Sequence, residues 1–100
     1  MKKKQVSESL RAHVYYSGRV QGVGFRFTAE RFALDLGLTG WVKNLPDGRV
    51  EVVCEGPRDR IEAFLEKIKQ SPLGRGIQRA ACTWQDATSE FTDFTVEFQL

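Results

Sequence analysis

Gly18, Gly22 and Gly24 lie in a short stretch between a strand-like run and a helix-like run, and Arg26 follows in the first helical turn. Glycine allows backbone N–H groups to turn inward, and successive inward N–H groups form a concave anion site. The start of the helix adds free N–H groups and the positive end of the helix dipole. The guanidinium of Arg26 can donate two parallel hydrogen bonds to phosphate oxygens. The pattern predicts a site for one tetrahedral anion, and an ordinary glycine-rich turn beside a surface arginine is the alternative.

The predicted anion site takes in the whole loop as well as Arg26. Its members are Gly18, Arg19, Val20, Gln21, Gly22, Val23, Gly24 and Arg26. Two nucleotide-binding motifs do not fit, because Phe27 replaces the third glycine of the dinucleotide fingerprint and no Gly-Lys-Ser/Thr follows. The RNA-recognition signature belongs on the third strand of a sheet, whereas this stretch precedes a helix. We therefore expect a small anion such as inorganic phosphate or sulfate at the site.

Asn44, at the end of the second predicted strand, is the other candidate site residue. Val42 is expected to be buried against the helices, and Asn44, two residues later, points to the same side. The chain direction brings this strand end towards the glycine loop, so the amide is expected to face the bound anion. A turn residue that hydrogen-bonds to its own backbone is the alternative. No two carboxylates have a spacing suited to general acid–base catalysis, and His13 is expected on the outer face of the sheet.

Apolar periodicity predicts the elements that position these residues. Strands are predicted over 11–17, 40–45, 49–55, 76–85 and 94–99, and helices over 25–36 and 57–70, with Pro57 at the first helical position. Glu51 and Glu55 are predicted to be solvated strand residues. The order βαββαβ plus a short C-terminal strand predicts an α+β fold, a ferredoxin-like α/β sandwich with two helices on one face of a mostly antiparallel sheet. Residues 1–9 are expected to be a flexible tail and residues 10–100 a single domain.

The composition limits the classes of function that are expected. The 100 residues are 41% hydrophobic, enough for one core, and the net charge of +2 favours neither nucleic acid nor a membrane surface as partner. The lysine-rich start lacks an apolar run, so no signal peptide or spanning helix is predicted, and we expect a cytoplasmic monomer. Cys54 and Cys82 lack CxxC spacing and are interpreted as reduced packing residues. With one histidine in the chain, no metal and no cofactor are expected.

Several segments resemble the acylphosphatase family across roughly residues 10 to 98. The matching segments are Gly18-Arg19-Val20-Gln21-Gly22-Val23-Gly24-Phe25-Arg26, Gly40-Trp41-Val42-Lys43-Asn44, and Asp47-Gly48-Arg49-Val50-Glu51-Val52 with Gly56. The resemblance implies a ferredoxin-like sandwich, metal-free hydrolysis of the carboxyl–phosphate bond of acyl phosphates, phosphate binding by Arg26, and an attacking water positioned by Asn44. The chain departs from the family in its lysine-rich start and in ending with Phe98-Gln99-Leu100, where many members end in Arg-Tyr. These departures bear only on the contacts expected at the end of the last strand.

Acyl-phosphate chemistry suits these residues, because the weakly basic carboxylate leaves without a general acid and positioning and charge stabilisation suffice. An anion-sensing ferredoxin-like module without turnover is the main alternative. A third possibility is the acylphosphatase-like domain of hydrogenase-maturation proteins, which handles carbamoyl phosphate; a free chain of 100 residues argues against it. The residues do not indicate which acyl group is the physiological one.

Overall fold

The structure, a computed structural model, describes residues 8–98 and contains five strands and two α-helices in that range. The strands are β1 (Ser9–Gly18), β2 (Thr39–Asn44), β3 (Val50–Pro57), β4 (Ile77–Asp86) and β5 (Phe94–Glu97). The helices are α1 (Phe25–Asp35) and α2 (Arg58–Gln70), and a 3₁₀ helix (Pro72–Gly76) follows α2. The predicted order of elements is confirmed. Residues 1–7 of the predicted flexible tail and the last two residues, Gln99 and Leu100, lie outside the described range.

The five strands form one sheet in the order β4-β1-β3-β2-β5. Neighbouring strands are antiparallel except for β2 and β5, which are parallel. Both helices pack into one core on the same face of the sheet. This confirms the predicted ferredoxin-like α+β fold, and it places the start of α1 beside the end of β2.

Alternation in the strands and a four-residue repeat in α1 build the core. Ala12, Val14 and Tyr16 of β1 are buried against the helices. From α1, Phe25, Ala29 and Ala33 are buried at successive turns. The other main core residues are buried side chains of α2, β2 and β3: Ile61, Phe64 and Ile68 from α2, Val42 from β2, and Val50, Val52 and Cys54 from β3. This core fixes the direction in which α1 leaves the glycine loop.

Glu55 is not a solvated strand residue, and that prediction was wrong. Its side chain is only 4% exposed. The carboxylate accepts hydrogen bonds from Arg11 Nε at 2.8 Å and from the backbone N–H groups of Thr88 and Ser89 at 2.9 and 3.0 Å. The segment between β4 and β5 thus packs on the outer face of the sheet and covers Glu55. The spacing of residues within the strands does not predict this packing.

Three other residues differ from prediction in their burial or their position. Glu51 is half-buried, with His13 Nε2 2.6 Å from its Oε2, so it is less solvated than predicted, while His13 does lie on the outer face. Cys82 is exposed rather than packed, because β4 is an edge strand and α2 packs chiefly on β1 and β3. Pro57 ends β3 and precedes α2 instead of occupying its first turn.

Candidate functional site

The loop after β1 presents open backbone at two glycines. Gly22 and Gly24 have positive φ angles of 76° and 80°, which favour glycine over any residue with a side chain. A Cβ atom added at either position would meet no atom within 4 Å, so this side of the loop is open to a small ligand. Val20 is fully buried beneath the loop, and Arg19 N–H donates to Gly76 O at 2.8 Å. The loop is therefore fixed at its base and open at its tip.

The start of α1 faces the same space. Gly24 is the N-cap residue, and among the described residues no side chain caps this helix and no acidic residue occupies its first turn. The first N–H groups of a helix have no partner within it, and the helix dipole places partial positive charge there. The end of the helix is thus suited to an anion.

Arg26 brings a full positive charge to this end of α1. It is half-buried, and none of the ion pairs formed within residues 8–98 involves it. Its guanidinium carbon lies 4.9 Å from the centre of the Phe98 ring, a cation–π contact. The guanidinium therefore contacts an aromatic ring, and within residues 8–98 its N–H groups bind no carboxylate.

A small cavity joins the loop, α1 and β2. Its volume is about 140 Å³, and its lining residues are Val20, Gly22, Gly24, Phe25, Arg26, Phe27 and Asn44. Asn44 ends β2 opposite Val50, beyond the buried Val42 on the helix side of the sheet, and its Oδ1 is buried. The structure thus brings Asn44 to the same cavity as Arg26, Val20 and two glycines of the loop. Arg26 and Asn44 are eighteen positions apart in the sequence.

Other predicted loop residues do not line this cavity. Gly18 is the last residue of β1. Arg19 and Val23 line a neighbouring groove together with Arg75. Gln21 turns its side chain away, and its Nε2 donates to Leu45 O at 2.8 Å and to Arg49 O at 2.9 Å.

The contact of Gln21 was missed by the sequence analysis. The carbonyl groups that it binds belong to the turn between β2 and β3, directly after Asn44. Gln21 therefore ties the glycine loop to the strand end that carries Asn44. A long polar side chain inside a tight glycine loop was the available signal, but the sequence does not reveal its partner. The sequence also did not predict that Phe27 lines the cavity or that Phe98 contacts Arg26, because an exposed aromatic residue has no distinctive spacing.

Two further observations concern metal binding and membrane spanning. Within residues 8–98, no three His, Cys, Asp or Glu side chains are grouped so that they could hold a metal ion. In the same range, no helix is long and apolar enough to cross a membrane.

A model of the acylphosphatase family matches residues 12–96. An acylphosphatase from Nostoc is 49% identical over 80 residues, which cover 80% of this chain and 79% of the relative. One from Pyrobaculum islandicum is 42% identical over 90 residues, covering 89% of this chain and 95% of the relative. The crystal structure of acylphosphatase from Bacillus subtilis superposes with a TM-score of 0.79 at 33% identity, covering 88% of this chain and 98% of that one.

Proposed function

Since this chain belongs to the acylphosphatase family, we propose that it hydrolyses the carboxyl–phosphate bond of acyl phosphates to a carboxylate and inorganic phosphate. The observation that carries the proposal is the single small cavity in which Arg26 and Asn44 meet the open glycines. That cavity supplies a positive charge, backbone donors and an amide, and acyl phosphates demand little more.

In this proposal the phosphate group lies against Gly22, Gly24 and the start of α1, with Arg26 bound to its oxygens. The loop from Gly18 to Gly24 shapes the cradle. Within residues 8–98, Arg26 forms no ion pair with a carboxylate and the first turn of α1 holds no acidic residue, and both observations favour this placement. These groups are fixed before the reaction, so they stabilise the charge on the equatorial oxygens without reorganising.

Asn44 positions the attacking water. Its amide oxygen accepts a hydrogen bond from water, and its amide nitrogen donates to oxygen. The water oxygen attacks phosphorus in line with the departing carboxylate, which takes the electron pair of the broken bond. An amide is too weak a base to accept the proton, so a phosphate oxygen of the substrate takes it. The carboxylate is a good leaving group and needs no general acid.

The site needs no metal or cofactor on this account, and the partner is a small-molecule acyl phosphate, with inorganic phosphate or sulfate as competing ligand. The absence of nucleic-acid and membrane partners, the monomeric state and the cytoplasmic location stay predictions from the sequence. A regulatory module that binds the anion without turnover stays the alternative, and turnover decides between the two.

The test measures hydrolysis of acetyl, benzoyl and carbamoyl phosphate by the wild type and by Arg26→Lys. We expect the wild type to turn over, with competitive inhibition by phosphate and sulfate, and Arg26→Lys to lose activity on the order of 10²-fold, because lysine keeps the charge but not the planar pair of donors. Arg31→Lys is the matched control, since Arg31 lies on the same helix outside the cavity. Anion binding without turnover in the wild type would establish the regulatory module instead.

A further inference from the structure

Two exposed aromatic rings stand beside the cavity. Phe27 is 58% exposed and lines the cavity, and Phe98, which follows β5, is 62% exposed. Their ring centres lie 6.4 Å apart, within the range of aromatic pairs. Phe98 also lies over the guanidinium of Arg26. Large apolar side chains are costly to leave in water, so a pair of them at the edge of a site calls for an explanation.

The cavity itself is too small for a substrate with a large acyl group. Its volume is about 140 Å³. Water takes up roughly 30 Å³ per molecule in the liquid, and pockets for complete drug-sized ligands are roughly 300–1,000 Å³. A phosphate group and the attacking water therefore fill most of the space, and a large acyl group such as benzoyl must lie outside it. Phe27, which forms part of the cavity wall and is also exposed, marks one direction in which the substrate can leave.

From these observations we infer that Phe27 and Phe98 form an acyl-binding surface that selects acyl phosphates with an aromatic or otherwise apolar acyl group. The inference rests on the proposed function, since it concerns the part of the substrate that the phosphate site leaves outside. The apolar acyl group covers the exposed rings, and stacking against them adds to the burial of apolar area. An acetyl group is too small to gain much from either ring.

A role in positioning Arg26 has to be separated from a role in binding the acyl group. Loss of the Phe98 ring removes the cation–π contact and should weaken phosphate binding for every substrate alike. Loss of acyl binding lowers activity only on substrates with a large apolar acyl group. The ratio of kcat/KM for benzoyl phosphate to that for acetyl phosphate isolates the acyl part, because the phosphate group is the same in both.

The experiment measures this ratio for the wild type, Phe27→Ala and Phe98→Ala, with Leu34→Ala as matched control. Leu34, on α1, is 50% exposed and does not line the cavity; it lies about 10 Å along the helix from Phe27, at the far end of a groove that both residues line. We expect the ratio to fall roughly 2- to 10-fold at each phenylalanine and to stay unchanged at Leu34. Phe98→Leu serves as a second variant that keeps apolar bulk without the ring face, and it should lower the ratio less than Phe98→Ala.

Binding supplies a readout that does not depend on turnover. Affinities for benzoylphosphonate and acetylphosphonate, which cannot be hydrolysed, are measured on the same proteins by calorimetry. A preference of the wild type for benzoylphosphonate that Phe27→Ala and Phe98→Ala abolish supports the surface, whether or not the protein turns substrate over. Unchanged ratios in both variants, or an equal fall in Leu34→Ala, overturn it while leaving acyl-phosphate hydrolysis by the wild type intact.

Discussion

Arg26 and Asn44 contribute unlike properties to one cavity. Arg26 supplies a positive charge at the start of a helix, where it adds to the partial charge of the backbone. Asn44 supplies an amide at a strand end, which is neutral and both donates and accepts. A charged group favours binding of the anion in the ground state, whereas an amide placed to orient water acts mainly during the reaction.

Replacement of Asn44 is therefore expected to separate catalysis from binding. Asn44→Ala should lower kcat on the order of 10²–10³-fold and leave the inhibition constant of inorganic phosphate nearly unchanged, because Arg26 and the loop still hold the anion. Asn44→Asp should fail as well, since a carboxylate repels the phosphate and lacks the amide donors. Steady-state kinetics with phosphate as inhibitor measures both quantities. A folded, fully active Asn44→Ala, with folding checked by circular dichroism, would assign Asn44 to the turn instead.

Both of these residues were predicted from sequence as candidate site residues, for different reasons, and both line the cavity. Arg26 follows a glycine pattern whose chemistry is local, because all the groups involved lie within nine residues. Asn44 required the argument that alternate residues of a strand share a face and that the strand ends near the loop. Gln21 was assigned to the phosphate loop, but its side-chain contact lies across 24 residues of sequence, and local pattern carries no information about such a partner.

Among the elements, the contact between the glycine loop and the β2–β3 turn sets the separation of the two halves of the site. Leu45 N–H donates to Arg49 O at 2.8 Å, which closes the turn, and Gln21 then binds the carbonyl groups of both residues. The loop and the strand end move as one unit as long as these hydrogen bonds persist. Through these two carbonyl groups the amide of Gln21 is linked to the backbone of the strand end that carries Asn44.

Gln21→Ala should lower kcat several-fold more than it raises the inhibition constant of phosphate, because the phosphate cradle is kept while Asn44 is less well placed. The loss of two hydrogen bonds should also lower the free energy of unfolding by roughly 1–2 kcal/mol. Gln21→Glu should resemble Gln21→Ala, since a carboxylate cannot donate to the two carbonyl groups. The measurements are steady-state kinetics and urea unfolding.

Gln70→Ala is the matched control for this prediction. The side chain of Gln70 donates to Glu66 on the exposed face of α2 and lines neither the cavity nor the groove beside the loop, so its loss should change neither quantity by much. Equal changes in kcat and in phosphate affinity for Gln21→Ala would show that the cradle itself depends on this residue, contrary to the positioning role.

The segment between β4 and β5 is held to the sheet through Glu55. Burial raises the pKa of this carboxyl, but hydrogen bonds from Thr88 N–H, Arg11 and Ser89 N–H outweigh burial and hold the pKa below its ordinary value of 4.5. A carboxylate with a lowered pKa in the folded state stabilises the fold above the pKa of the unfolded chain. That contribution is lost as the pH falls through the folded-state pKa.

Glu55→Gln should accordingly lower the free energy of unfolding by roughly 1–3 kcal/mol at neutral pH, and its difference from the wild type should shrink below about pH 4. Urea unfolding at several pH values measures the difference. Glu62→Gln is the control, because its ion pair with Arg58 is exposed and contributes roughly 0.3–0.5 kcal/mol at most. A gap that stays constant with pH would mean that the carboxylate charge of Glu55 is not what holds the segment.

For the whole molecule, the sequence predicted the element order and the helix-covered face of the sheet, because alternation in β1 and β3 indicates which side is buried; the alternation in β4 does not. Two global features were out of reach. The parallel pairing of β2 with β5 depends on how the chain crosses from one edge of the sheet to the other. The burial of Glu55 follows from the same crossing, since the crossing segment covers it. Neither is recorded in the spacing of apolar residues within a strand.

The strand order also determines the order in which the parts of the site can assemble while the chain is synthesised and folds. β1 pairs with β4, so Ala12 meets Trp84, and β2 pairs with β5, so Gly40 meets Phe94. Pairings between residues so distant in sequence are slow to form. Arg26 and Asn44 precede β5, the strand beside β2, and also precede Phe98, whose ring contacts Arg26. On a growing chain these two residues therefore exist before the strand that completes their side of the sheet, and we expect the cavity to reach its folded geometry only after β5 has paired with β2.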